Sequence, residues 1–217
     1  MAAGKRRTEP ASARAQATRD AILAAAMEEF AARGPDGARV DRIATRARAN
    51  KERIYAYFGG KERLWAAVLE RAFAEIAEAE RPLAETGMDG DNRLAERALR
   101  VYFDIHENHP HLWRLLAWAN LTGSVGGKFA NAKVAVYAGL EEAFATAQRN
   151  GLYSADVTFP AYAFALIALS LVAFSNRRTL ATHLDLDLDD VAVRRRLVEE
   201  LATLIERGAA KPKSKAK

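Results

Sequence analysis

Cysteine is absent from the 217-residue chain. Its absence excludes disulfide scaffolds, cysteine-ligated zinc, thiol nucleophiles and thiol redox motifs, and suits a reducing, cytoplasmic setting. No apolar stretch follows the polar, basic N-terminus, so no secretory signal is visible. Long apolar runs are scarce as well. The uncharged residues 157–174 reach only the lower length of a membrane span; Pro160 near their start, their many alanines and the lack of a bracketing aromatic belt argue against insertion, so no membrane association is expected. Missing too is any acid, base and nucleophile set at recognisable spacing, which leaves no enzymatic activity and no cofactor to expect. The segment Gly123 to Lys128 fails as a phosphate loop because Thr122 stands where its first glycine belongs and Phe129 follows the lysine.

Half of the residues are apolar and 28% are charged, enough for a packed core and incompatible with disorder throughout. The net charge of +5 is unevenly spread: residues 1–63 carry 14 Lys and Arg against 8 Asp and Glu, residues 64–207 carry 15 against 20, and the last ten carry 4 against none. A basic front joined to an acidic body points to an anionic partner for the first third, nucleic acid before membrane surface, although a solvated basic face has the same composition.

Residues 1–17, with Lys5, Arg6, Arg7 and Arg14, lack apolar periodicity and read as a disordered basic arm; the lysine-rich residues 208–217 read as a disordered tail. From Thr18, a plausible N-cap, Ile22, Leu23, Ala26, Met27 and Phe30 recur at helical spacing up to Gly34-Pro35. A very short helix carries Val40, Ile43, Ala44 and Ala47. Asn50 caps a third, with Ile54, Tyr55 and Phe58, and Gly59-Gly60 breaks it. A fourth holds an uninterrupted stripe from Leu64 to Ile76. Pro82, Gly87 and Gly90 mark a boundary, giving domains 18–80 and 81–207. Beyond it, helices carry Leu94 to Ile105, Leu112 to Ala119, Val136 to Ala147 (closed by Asn150-Gly151), 161–174 and Val193 to Ile205, the last fed by Asp185, Asp187, Asp189 and Asp190 against its dipole. Nothing alternates with period two. The fold class is all-α, with about nine helices.

Two short helices joined by a tight turn need a third to bury their common face, and Ile22, Met27 and Phe30 supply it. The outer side of the second short helix is then free to enter a major groove. Its outward residues are cationic or phenolic: Lys51, Arg53, Tyr55 and Tyr57, with Lys61 beyond. Such groups neutralise phosphates, read guanine edges or donate to phosphate oxygens. A solvated helix with two half-buried tyrosines would carry the same residues.

Residues 22–69, through Phe30, Gly34, Val40, Ile43-Ala44, Ala47, Ile54-Tyr55-Ala56-Tyr57-Phe58, Lys61-Glu62 and Leu64, resemble the N-terminal domain of the TetR (tetracycline repressor) family. The resemblance implies an operator-binding helix-turn-helix with a recognition helix at 50–57. It places Tyr55, Tyr57 and Lys61 on positions that touch the DNA backbone, and Lys51 to Arg53 on positions that face bases. Three residues depart from the family pattern. Arg39 replaces a capping Ser or Thr, Arg48 a turn glycine, and Glu52 a small residue; Glu52 accepts from a cytosine amine or repels phosphate, so base preference does not carry over. The C-terminal part resembles the family in architecture, which implies a ligand-binding and dimerisation domain with the last two helices at the subunit interface. A ligand-responsive homodimer on a double-stranded, palindromic operator follows, most simply a repressor released by a small-molecule effector.

Candidate lining residues for a hydrophobic or aromatic effector are Tyr102, Phe103, His106, Trp113, Trp118, Asn120, Tyr137 and Phe144, with Asn131 a further polar group. His106, His109 and His111 form the one metal-like cluster. Pro110 interrupts its helical spacing, a helix C-terminus accounts for it equally well, and no metal is assigned. Two other readings stay open: a small-molecule-binding helical protein with an incidental basic front, and a non-specific DNA-coating protein.

Overall fold

The computed structural model describes residues 11–85, 93–124 and 128–210. Among them are ten helices and no strand. In chain order these are α1 (Ala11–Gly37), α2 (Val40–Arg46), α3 (Lys51–Phe58), α4 (Lys61–Glu85) and α5 (Leu94–Asn108). They are followed by α6 (Pro110–Thr122), α7 (Lys128–Arg149), α8 (Phe159–Ser175), α9 (Leu180–His183) and α10 (Val191–Ala209). The short α9 was not expected from the spacing of apolar residues, because four residues are too few to display a period.

Two boundaries differ from expectation. Helix α1 begins at Ala11 rather than Thr18, whose hydroxyl donates to the Arg14 carbonyl at 2.9 Å inside the helix instead of capping it. The alanine-rich residues before Thr18 prolong a helix already nucleated by the stripe behind them. Likewise α10 includes residues 208 and 209, which the lysine-rich segment was expected to contain. Residues 1–10, Gly87, Gly90 and 211–217 lie outside the described residues, as do Val125 to Gly127.

The chain divides into two compact units. The first contains residues up to Ala72 together with Arg114–Gly126; the second contains Phe73–Trp113 and the chain from Gly127. The boundary expected near Pro82 does not coincide with this division, which falls inside α4 and α6. Pro82 sits in the last turn of α4, where it removes one backbone donor without stopping a helix whose apolar stripe continues to Leu83.

In the first unit, Ile22, Ala26 and Phe30 of α1, Ile43 of α2, Ile54 of α3 and Leu64 and Val68 of α4 are fully enclosed. Phe30 packs on Trp65 with ring centroids 5.1 Å apart. Neither α2, of 7 residues, nor α3, of 8, is long enough to persist alone, so their helicity depends on burying this shared face. Helix α1 is broken at Gly34 (φ 69°, ψ 173°), which turns the chain toward α2. A Cβ at that position would come within 2.8 Å of the Trp118 indole. Both the backbone angle and the close approach therefore require glycine.

In the second unit, α5 lies against α8 and α10, and α7 lies against α8. Leu94, Ala95, Ala98, Leu99, Tyr102, Phe103 and Ile105 give α5 one continuous buried face. Glu206 of α10 accepts from the Ala95 N–H at 2.7 Å and from the Tyr153 hydroxyl, joining the start of α5 to the end of the chain. Asp190 caps α10 by accepting from the N–H groups of Ala192 and Val193, as its acidic lead-in suggested. Among the described residues no helix is long and apolar enough to cross a membrane.

Replacing Gly34 by Ala is expected to lower unfolding stability by about 1–3 kcal/mol, the usual range for a side chain forced into a sparsely allowed backbone region, with the indole contact pushing it toward the upper end. Chemical denaturation checks this, and an unchanged midpoint would remove Gly34 from the account.

Candidate nucleic-acid interface

Asn50 initiates α3: its side-chain oxygen accepts from the Arg53 N–H at 3.1 Å. Ile54 and Phe58 turn inward, which leaves Lys51, Glu52, Arg53, Tyr55 and Ala56 exposed on the opposite side. Tyr57 is half-buried beside them. The Arg19 guanidinium lies over the Phe58 ring, 5.1 Å from its centroid, and so ties α1 to the end of α3. Gly59 ends α3 in the left-handed conformation (φ 77°).

Two of the expected contact residues are already engaged. The Lys51 ammonium pairs with Asp41 of α2 at 2.9 Å, and this hydrogen bond and charge hold its pKa above the usual lysine range. Lys61 donates to the Asp36 carbonyl at 3.1 Å. Both bonds are solvent-exposed, so each holds its lysine only weakly. Arg53 and Glu52 stand clear on the exposed face. Arg39 is the residue before α2, extended at φ −122° and exposed, and its side chain makes no cap.

A carboxylate from α1 reaches the entrance to α2 instead. Glu29 of α1, only 3% exposed, accepts from the Arg39 N–H at 3.3 Å and from the Arg42 guanidinium at 2.6 Å. Arg42 also donates to the Gly37 carbonyl at 2.8 Å, and Arg33 lies 3.8 Å from the same carboxylate. Burial alone would raise the Glu29 pKa. The hydrogen bonds from Arg42 and Arg39 and the charges of Arg42 and Arg33 outweigh it and bring the pKa below the ordinary value. A carboxylate at the N-terminus of α2 also faces the positive end of its dipole. Sequence reasoning missed Glu29, although a glutamate set between Met27 and Phe30 on a buried face was a signal.

The turn between α2 and α3 has the hydrogen bonds of a Schellman motif: the Arg48 N–H donates to the Thr45 carbonyl and the Ala49 N–H to the Ala44 carbonyl. Arg48 is the left-handed residue, at φ 51°. The same pattern ends α6 and α7, with Gly123 and Gly151 in the equivalent place. The turn backbone is therefore the one glycine favours, and an exposed arginine tolerates it.

The candidate effector residues are divided between the two units. Trp118 and Asn120 belong to the first unit, where Trp118 meets Gly34 and Asn120 is exposed. Helical spacing along α6 gave no sign that the two ends of this helix serve different units. Phe103 and His106 lie against Phe174, at 5.3 and 5.4 Å between centroids. Phe144 instead packs on Tyr153 and Tyr162, in a separate cluster. Trp113 and Tyr137 are half-buried. The Tyr102 hydroxyl is buried without a hydrogen-bond partner, and burial, with Glu80 and Tyr137 nearby, raises its pKa well above the phenol range. Asn131 has no described side chain.

Residues 22–68 match the family model for bacterial regulatory proteins of the TetR family, and residues 94–205 match that for the tetracycline repressor-like C-terminal domain. The chain belongs to the TetR family. It is a DNA-binding, ligand-responsive transcriptional regulator and not an enzyme. It is 36% identical over 194 residues to the transcriptional repressor NicS of Pseudomonas putida, covering 85% of this chain and 89% of that protein. With the repressor SCO4008 of Streptomyces coelicolor it shares 35% identity over 156 residues, 71% of this chain and 77% of the relative. Among solved structures, the Streptomyces coelicolor regulator SCO4942 is 33% identical with a TM-score of 0.68, covering 90% of this chain and 99% of that one.

Two changes test the local account. Glu29→Gln keeps an acceptor but loses the charge; because Arg42 remains partly in water, the cost at neutral pH is about 1–2 kcal/mol rather than that of a fully buried pair. With its folded pKa lowered, Glu29 contributes stability that is present at neutral pH and lost as the pH falls through the carboxylate range, so the variant's stability declines less steeply in acid than the wild type's. Parallel acid limbs in a pH series of urea midpoints would contradict this. Arg48→Gly is expected to raise stability by about 0.5–1 kcal/mol, the relief of the left-handed arginine less the added freedom of the unfolded chain.

Proposed function

We propose that the protein is a homodimeric repressor that places one α3 from each subunit in successive major grooves of a near-palindromic operator. The observation that carries this reading is the exposed face of α3, cationic and phenolic, presented by helices whose other sides are fixed in a common core. Subunit symmetry imposes symmetry on the site. Lys51, Glu52 and Arg53 face bases in this reading, whereas Arg39, Tyr55, Tyr57 and Lys61 contact the backbone, and the Arg48 charge adds to the phosphate attraction at the turn. Repression is favoured by the likeness to two repressors.

Exposed apolar side chains support the dimer. Phe164 is 75% exposed on α8 and Leu204 67% exposed on α10, and Val172 is also open. These are the two helices assigned to the interface, and a second copy is the natural cover for them. In the second unit, Tyr102, Phe103, His106, Trp113, Tyr137 and Phe144 remain the proposed lining of a site for an apolar or aromatic effector. The buried Tyr102 hydroxyl, with no hydrogen-bond partner among the described residues, is a polar group that such an effector could satisfy. Effector binding favours a form that fits the operator poorly, and linkage then requires the operator to weaken effector binding by the same factor. A DNA-bound regulator of this kind works in the cytoplasm.

Selection from a random duplex pool at physiological salt is expected to return a palindrome; unenriched DNA would leave only non-specific phosphate binding. On the selected duplex, Arg53→Ala is expected to change base preference, at about 1–3 kcal/mol for a lost bidentate contact, whereas Lys61→Ala weakens all sequences alike and lowers the salt slope by about one charge per subunit. Equal losses on specific and random DNA for both variants would overturn the division of roles. Phe164→Asp with Leu204→Asp should yield monomers by sedimentation; a folded dimer at low concentration would remove α8 and α10 from the interface.

A further inference from the structure

Three donors meet in the second unit that the function described above does not use. His109 is the residue between α5 and α6, with φ −127° and ψ 60°, and Pro110 opens α6 immediately after it. This one-residue corner turns the chain so that His109 and His111, two apart in sequence, bring their rings to 6.1 Å between centroids at 72°. Glu75 of α4 closes the group, with its Oε2 3.2 Å from His111 Nε2. One ligand atom from each of Glu75, His109 and His111 lies within 4.8 Å of the other two. His106 takes no part, since its ring packs on Phe174. Pro110, which ends the helical spacing right after His109, thus stands between the two histidines that do meet.

We propose that Glu75, His109 and His111 bind a divalent transition-metal ion, zinc by preference, which clips α4 to the α5–α6 corner. Two imidazoles and a carboxylate are a borderline donor set, suited to zinc, copper or nickel and poor for magnesium. Donors around a tetrahedral zinc, bonded at about 2.0–2.1 Å, stand roughly 3.3 Å apart. Small rotations of three partly exposed side chains reach that spacing from the present one. Three protein ligands leave a fourth position for water. The ion joins residues distant in sequence, so it stabilises the folded second unit more than the unfolded chain.

The competing explanation is a plain hydrogen bond between His111 and Glu75, in which His109 is a bystander. Titration calorimetry of the full-length, tag-free protein with zinc chloride separates the two. One zinc per chain is expected, with a rise in the thermal midpoint that magnesium does not produce. Affinity should fall at least tenfold in His109→Ala and in His111→Ala, and in Glu75→Gln as a milder change, while His183→Ala, outside the cluster, binds as wild type. Circular dichroism of the metal-free variants establishes that each is folded, and should one of the histidine variants be unfolded, the Glu75→Gln titration decides. No zinc heat in the wild type, or unchanged affinity in the folded variants, would overturn the proposal.

Discussion

The buried carboxylate of Glu29 is the contact on which the placement of the helix-turn-helix depends. It reaches from α1 to the backbone N–H of Arg39, just before α2, and to Arg42 in the first turn of α2, so one charged group supplies both a hydrogen bond at the helix entrance and a lateral tie between the helices. Without it the Arg39 N–H would lose its acceptor and Arg42 its tie to α1. Since α3 follows α2 through a four-residue turn, an error in the direction of α2 is passed to the face that α3 presents. Charged groups are rarely buried for stability alone; here burial gives orientation, and the surrounding donors offset the cost.

The same region stores strain beside this brace. Arg48 holds a backbone conformation that the equivalent turns after α6 and α7 give to glycine, and it does so on an exposed surface where no packing compels it. A stability loss of about a kilocalorie per mole is small against the folding free energy of a domain, but it is the kind of loss that a charge at a nucleic-acid surface offsets when DNA is bound. Lys51 and Lys61 are held by weak, exposed partners in the free protein. These bonds hold both cations at the ends of α3 without burying them.

Local features were legible in the sequence because their causes are local. The apolar stripes of α1, α4 and α5, the Asn50 and Asp190 caps, and the breaks at Gly34, Gly59 and Gly151 are each set by a few neighbouring residues, and the structure has them where spacing puts them; on α10 the buried residues are instead Arg194, Val198, Ala202 and Ala209, with Leu204 of the expected stripe exposed. Two departures read from the resemblance, at Arg39 and Arg48, also have structural counterparts: an absent side-chain cap and a left-handed arginine. What could not be read depended on contacts between distant residues. Trp118 sits against Gly34, Glu75 meets His111, and Glu206 caps α5, all across more than thirty residues in the chain. The division of α4 and α6 between two units is illegible for the same reason, since a helix keeps one period whichever core its face enters.

The central claim is that α3 reads base edges from the major groove. Dimethyl sulfate footprinting of the wild-type complex probes this directly, because the reagent attacks guanine N7 in that groove. The account requires protection in two clusters about one helical turn apart, near 10 base pairs between centres, on opposite sides of a symmetry axis. Guanines equally reactive with and without protein, on DNA that is bound, would contradict it.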